Sequence, residues 1–198
     1  MVNVAIVMPS GSHIHAPTVV CLTEMLHHSI KSGVNVRFIN PRVSVVEQGR
    51  WLGVKTVLKD VHATHILWLD SDMMFPKDTL TRLLKYDKDV VGAAYVKRDG
   101  SGEVVATDVK YHQLKEVPDM GIKPVGILGM GVLLTRVDVF RTLQEPWFEV
   151  WWRDDGQWVS EDAHFFMECK RHGITAWMDC ALSHEIGHLG VIDWRMDE

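Results

Sequence analysis

The chain has 198 residues, 46% of them hydrophobic and 24% charged, with a formal net charge of −5. This is the make-up of a globular protein long enough for one sizeable core. It excludes a disordered or fibrous chain and a general electrostatic pull towards nucleic acid or anionic membrane.

No apolar run approaches the ~18 residues of a membrane span. The first segment, Met1-Val2-Asn3-Val4-Ala5-Ile6-Val7-Met8-Pro9, lacks the basic start of a signal peptide and reads as a strand. Three cysteines, Cys21, Cys169 and Cys180, form an odd and widely spaced set with no metal-type pair. Reduced, buried thiols in a cytoplasmic protein are the expectation.

In chain order, Asn3–Met8 reads as a strand. Thr18–Lys31 carries apolar residues at helical spacing, and Gly33 ends it. Asn35–Ile39 is a second strand and Gln48–Val61 a helix. Ile66–Leu69 is a third strand, and Pro76 suits the first turn of a helix that runs to about Tyr86. Val90–Tyr95 is again short and apolar. This alternation predicts an α/β fold, with a mostly parallel central sheet flanked by helices.

After Arg98 the pattern changes. Asp99-Gly100-Ser101-Gly102 is a turn, Val125–Thr135 is apolar with three glycines, and Ser160–His172 reads as a helix capped by Ser160 and stopped by Gly173. With no repeat or long linker, a single domain over residues 1–198 is expected. Its front half, about 1–98, would bind a nucleotide, and its back half, about 99–198, is more elaborated.

Strand three ends abruptly in Asp70-Ser71-Asp72. The carboxyl ends of strands in an open α/β sheet face the ligand crevice. Side chains two residues apart on extended backbone share a side, so two carboxylates placed there can hold one hard divalent cation, and the cation a diphosphate. Asp and Ser are equally ordinary turn residues. Ser160-Glu161-Asp162 also has two readings. One is a helix cap with favourable first-turn acids. The other is a carboxylate facing a cleft, able to take a proton from an alcohol.

Ser183-His184-Glu185-Ile186-Gly187-His188-Leu189-Gly190 contains a zinc-peptidase pattern, His184-Glu185-x-x-His188, which works only on a helix. Its other readings are that His188 joins the Asp pair as a third ligand, or that the histidines are structural. Trp147, Trp151, Trp152 and Trp158 crowd the stretch before Asp162. They suit either core packing or a lid that stacks on a sugar or base.

Five blocks in this order and spacing resemble a small GT-A fold glycosyltransferase, family 2-like, of bacterial and phage type. The blocks are Asp70-Ser71-Asp72, Ala94-Tyr95-Val96-Lys97-Arg98, Gly129-Met130-Gly131-Val132-Leu133-Leu134, Ser160-Glu161-Asp162 and His188-Leu189-Gly190. The resemblance runs from about Val4 to Gly190. It implies that Asp70 and Asp72 bind Mn²⁺ or Mg²⁺ and the diphosphate of a nucleotide-sugar donor, UDP-sugar being favoured. It implies His188 as a further metal ligand and Asp162 as the base, with Glu161 beside it. It also implies that Arg50 lies near the nucleotide and that Pro9-Ser10-Gly11 cradles its base. Ser71, Arg98, Gly129 and Gly131 complete the expected donor site. The family often has an acidic residue or Asn soon after strand one, where this chain has Ser12-His13-Ile14-His15.

The resemblance implies transfer of a sugar to an acceptor hydroxyl, with inversion. The acceptor class stays open among glycan, protein, lipid and a modified base in phage DNA. The competing readings are a zinc metallopeptidase through His184 and His188, and a non-catalytic nucleotide-sugar binding module.

Overall fold

The computed structural model describes residues 2–190. The first half alternates strands and helices: β1 (Asn3–Val7), α1 (Ala16–Lys31), β2 (Asn35–Ile39), α2 (Val46–Val57), β3 (His65–Leu69), β4 (Met73–Met74), α3 (Thr79–Lys85) and β5 (Val90–Gly92). Then come β6 (Ile122–Val125), β7 (Val132–Arg136), α4 (Val137–Thr142), β8 (Trp151–Trp152), β9 (Trp158–Val159), α5 (Glu161–Arg171), β10 (Ala176–Asp179), α6 (Cys180–Ser183) and β11 (Gly187–His188).

Seven strands form one sheet in the order β2-β1-β3-β7-β5-β10-β6. Five of them point one way. β7 and β6 run against their neighbours, so the expected mostly parallel sheet is mixed at those two places. The central strands are mostly apolar, and β3 is buried at every position, because both faces are covered. Alternate residues feed opposite layers. Ala5, Val7, Ile66, Trp68 and Leu133 pack with Val54, Phe140 and Phe165 from α2, α4 and α5. Val4, Ile6, Leu67, Leu69 and Leu134 pack with Leu22, Met25, Leu80 and Leu83 from α1 and α3. The indole N–H of Trp68 finds a buried partner in the Thr135 hydroxyl at 3.1 Å.

Several boundaries differ from expectation for local reasons. α2 stops at Val57 because Asp60 accepts from the His62 amide and closes a turn. α3 starts at Thr79, since Pro76 opens a turn whose carbonyl takes the Thr79 amide and hydroxyl. β5 leaves the ladder after Gly92, and the Ala94 amide turns to the Ser183 hydroxyl. The apolar run Val125–Thr135 divides into the end of β6, a loop and β7. Gly33 and Gly173 take φ of +81° and +72° just past their helices, as expected of helix stops. Cys169 and Cys180 are buried, Cys21 is half-buried, and all three are free thiols.

Candidate functional site

β1 and β3 are parallel neighbours, with Val7 beside Trp68. Their carboxyl ends therefore open on the same edge of the sheet. Pro9, Ser10 and Gly11 from the first and Asp70, Ser71 and Asp72 from the second line one cleft of about 490 Å³, joined by His13, His15, Arg98 and His188. Asn40 donates to the Ser10 hydroxyl at 2.9 Å, which holds the β1 end against the chain after β2.

Three segments pin the turn at 70–72. The Asp70 amide donates to the Gly131 carbonyl at 3.1 Å, the Ser71 carbonyl accepts from the His15 amide at 2.9 Å, and the Asp72 carbonyl accepts from the Leu189 amide at 2.8 Å. β11 pairs with β4, so His188 sits opposite Met73, next to Asp72. A strand near the C-terminus is thereby brought to an acidic turn over a hundred residues earlier.

A backbone contact sets the orientation of the His188 ring. Its Nδ1 lies 2.9 Å from the Val96 carbonyl, which can only accept, so Nδ1 carries the proton. Its ring edge rests on Tyr95, with centroids 5.1 Å apart. Nε2 then faces the Asp72 carboxylate, 3.5 Å from Oδ2. A backbone carbonyl on one imidazole nitrogen is how metal-binding histidines are usually oriented. Nε2 and Asp72 Oδ2 thus face one another as a pair of possible cation ligands. Arg98 Nη1 reaches the same Asp72 Oδ2 at 2.5 Å.

Asp70 is engaged differently. Its Oδ1 accepts from Arg50 at 3.1 Å, while the other arm of Arg50 donates to Glu161 Oε1 at 2.8 Å. Arg50 is only 3% exposed. It touches the cleft through Asp70 and does not line it. Burial opposes its charge, but Asp70, Glu161 and Asp162 outweigh that and hold the guanidinium above its ordinary value. Burial also pushes the Glu161 carboxyl up, against the pull of Arg50 and with the help of Asp162. The two acidic motifs are thus locked together through one buried arginine.

Among the described residues, no group of three His, Cys, Asp or Glu side chains is arranged around one point to hold a metal. Of the expected trio Asp70, Asp72 and His188, the last two converge. That suits a hard cation whose remaining ligands are substrate phosphate and water, since such ions are commonly held by one or two carboxylates.

Ser160 stands at the N-cap of α5, but its hydroxyl bonds the Asp162 carboxylate and not a backbone amide. Asp162 Oδ1 also accepts from the Ala163 amide at 2.7 Å. Oδ2 has no hydrogen-bond partner among the described residues. Sequence reasoning quoted Tyr95 within the Ala94–Arg98 block but gave it no role. Its hydroxyl accepts from the Gly131 amide at 3.2 Å, and burial, with Asp70 and Asp162 nearby, pushes the phenol up, so it stays protonated. A Cβ on Gly129 would collide with the Tyr95 hydroxyl, and one on Gly131 would meet its ring at 2.9 Å. The two glycines make room for that ring, a pairing of distant residues that the sequence does not show.

The peptidase pattern does not form its required helix. His184 is the C-cap of the four-residue α6, and His188 is on a strand. Glu185 pairs with Arg82, and His184 lies against the Pro118 carbonyl at 3.3 Å. Trp147 is buried in the core, whereas Trp152 and Trp158 stack edge to face across β8 and β9, 65% and 54% exposed. Lys97 pairs with Glu103 outside the cleft.

No protein-family profile and no curated protein sequence matches this chain. Solved structures do. The A197 protein from STIV matches at a TM-score of 0.63 and 16% identity, over 98% of this chain and 87% of that one. The catalytic domain of Drosophila β1,4-galactosyltransferase 7 in complex with xylobiose matches at 0.59 and 14% identity, over 96% and 72%. A variant of that enzyme was solved with manganese, UDP-Gal and xylobiose. GalNAc-T7 with UDP, GalNAc and Mn²⁺ matches at 0.57 and 13% identity, over 95% of this chain and 44% of that one. The fold is therefore that of the GT-A glycosyltransferases. Among the described residues no helix is long and apolar enough to cross a membrane.

Proposed function

We infer that this protein is a divalent-cation-dependent glycosyltransferase. It moves a sugar, with inversion, from a nucleotide sugar, UDP-sugar favoured, to an acceptor hydroxyl. The observation that carries the reading is the meeting of Asp72 Oδ2, the pinned Nε2 of His188 and Arg98 at the mouth of one cleft. Two of the similar structures hold manganese with UDP or UDP-Gal, which supports the choice of ligand.

Asp72 and His188 would hold Mn²⁺ or Mg²⁺, and Ser71, Pro9, Ser10 and Gly11 border the space for the nucleotide. The bound cation supplies neutralising charge on the departing diphosphate. Arg50 fixes Asp70 and Glu161 in register, which keeps the donor end of the cleft aligned with the start of α5. The free oxygen of Asp162 takes the proton of the acceptor hydroxyl while the new bond to the anomeric carbon forms and the bond to the diphosphate breaks. Glu161 positions the site through Arg50 and takes no part in the transfer step. The exposed Trp152–Trp158 pair stands ten and four residues before this base and offers the flat apolar face that suits a sugar ring. A saccharide-bearing acceptor is therefore favoured over a bare lipid or base. The chain acts as one domain, donor half 1–98 and acceptor half 99–198, and its free thiols suit the cytoplasm.

A panel of nucleotide sugars, scored for Mn²⁺-dependent release of the nucleoside diphosphate, tests this. Turnover of one donor is expected. Asp162→Asn should lower the rate on the order of 10²–10⁴-fold while keeping donor affinity. Binding without turnover of any donor would favour the non-catalytic module instead.

A further inference from the structure

We propose that Arg98 is a resident cation on Asp72 that gives way to the divalent ion and moves to the donor diphosphate, which makes the two ligands bind cooperatively. This rests on Asp72 and His188 as the protein ligands of the ion.

Arg98 Nη1 and His188 Nε2 converge on the same atom, Asp72 Oδ2, at 2.5 and 3.5 Å. His188 has two further contacts that hold it, the Val96 carbonyl and the Tyr95 ring. Arg98 is held less firmly. Its side chain is 56% exposed, and the Asp72 carboxylate is its one hydrogen-bond partner among the described residues. A divalent ion and a guanidinium cannot share one carboxylate oxygen without strong like-charge repulsion, so the mobile group leaves.

The space into which Arg98 can turn is the cleft between the β1 end and Asp72, which it already lines. A diphosphate there presents a second anionic partner, matched to a guanidinium fork. With only the ion present, Arg98 competes with it. With diphosphate also present, Arg98 is drawn off Asp72 and the competition ends. The ion's affinity therefore rises with diphosphate by more than direct contact supplies, and linkage requires the reverse effect to be equal.

The test uses the intact protein, Mn²⁺ and UDP. Free Mn²⁺ is measured by electron paramagnetic resonance, with and without UDP, and UDP affinity by calorimetry. Arg98→Ala should bind Mn²⁺ alone about two- to sixfold more tightly, the worth of an exposed ion pair removed from competition. It should bind UDP more weakly in the presence of Mn²⁺, and the Mn²⁺–UDP coupling factor should fall by a similar two- to sixfold. Arg98→Lys, which keeps a movable charge, should retain most of the coupling. Lys97→Ala removes a neighbouring charge that pairs with Glu103, and it should leave all three quantities at the wild-type level.

Tighter Mn²⁺ binding with an unchanged coupling factor, or the same shift in Lys97→Ala, would mean a simple field effect and overturn the proposal. Unchanged or weaker Mn²⁺ binding in Arg98→Ala would overturn it too, leaving the site reading intact. If wild-type protein takes up no Mn²⁺ at millimolar concentration with or without UDP, the metal reading itself fails and this inference with it.

Discussion

At the scale of single residues, the two arginines of the site do opposite work, and burial decides which does what. Arg98 is exposed and exchangeable, whereas Arg50 is enclosed between Asp70 and Glu161 with its side chain 4% exposed. Removing one member of a buried ion pair leaves an uncompensated charge and typically costs roughly 3–5 kcal/mol. Asp70 retains 27% exposure and so keeps some solvation. Arg50→Met should therefore fall near the lower end of that range in urea unfolding, and a loss under about 1 kcal/mol would mean that Arg50 is not the strut described. Asp72→Asn should behave differently. It loses the oxygen on which Arg98 and His188 converge, so Mn²⁺-dependent UDP binding should vanish in calorimetry while the urea midpoint barely moves. Retained Mn²⁺-dependent binding in that variant would place the ion elsewhere. The positions of Asp70 and Asp72 were legible because a buried strand ending in carboxylates is a local pattern. That only Asp72 meets His188 was not legible, because the difference depends on a long-range pairing of β11 with β4.

At the scale of elements, the sequence was clearest where apolar periodicity and a stop residue agreed. β2 at Asn35–Ile39 matches its expected bounds, and α1 and α5 end where Gly33 and Gly173 require. It was least clear where side chains hydrogen-bond local backbone, as at Asp60 and Pro76, or where one apolar run served two environments, as at 125–135. The loop before β7 shows what such a run conceals. Gly129 and Gly131 admit the ring of Tyr95, whose hydroxyl ties down the Gly131 amide next to Asp70. Gly129→Ala should cost about 1–3 kcal/mol from overpacking. In a Tyr95→Phe background the penalty should shrink by more than about 0.5 kcal/mol, since the closest atom is gone. Strict additivity in that double-mutant cycle would show that Gly129 is kept for another reason. The β8–β9 hairpin makes the contrasting case. Its paired Trp152 and Trp158 face solvent, and an exposed aromatic pair is worth about 0.5–1.5 kcal/mol. Trp152→Ala should accordingly cost little stability and yet raise the KM for a saccharide acceptor severalfold. An unchanged KM would free the hairpin for some other partner.

For the whole molecule, the alternating front half made the layered α/β architecture readable, but the antiparallel insertion of β7 between β3 and β5 was not, because strand order is a property of distant pairings. That insertion also shapes the candidate site. It carries the back half into the middle of the sheet and brings Gly131 to Asp70, while Arg50 in α2 reaches Glu161 at the start of α5. The contact between Arg50 and Glu161 thus joins the front half of the chain to the back half, and it should leave a mark on the pH dependence of stability. Burial is the largest influence on Glu161 and drives its carboxyl above the ordinary 4.5, Arg50 pulls it down, and Asp162 pushes it up again. With the balance above 4.5, the folded protein holds the Glu161 proton to a higher pH than the unfolded chain does. Between those two values the folded state binds more protons, so the slope of unfolding free energy with pH is negative. The contribution of Glu161 to stability is then fully present below pH 4.5, falls as pH rises through the raised folded value, and is level beyond it. Urea unfolding of the wild type and of Glu161→Gln from pH 4.5 to 7 isolates this term as the difference between the two curves. The wild type should lose ground to the variant as pH rises across that window. A difference that grows in the wild type's favour with pH would mean that the pull of Arg50 exceeds the cost of burial, and that the bridge between the halves is a net stabilising ion pair at neutral pH.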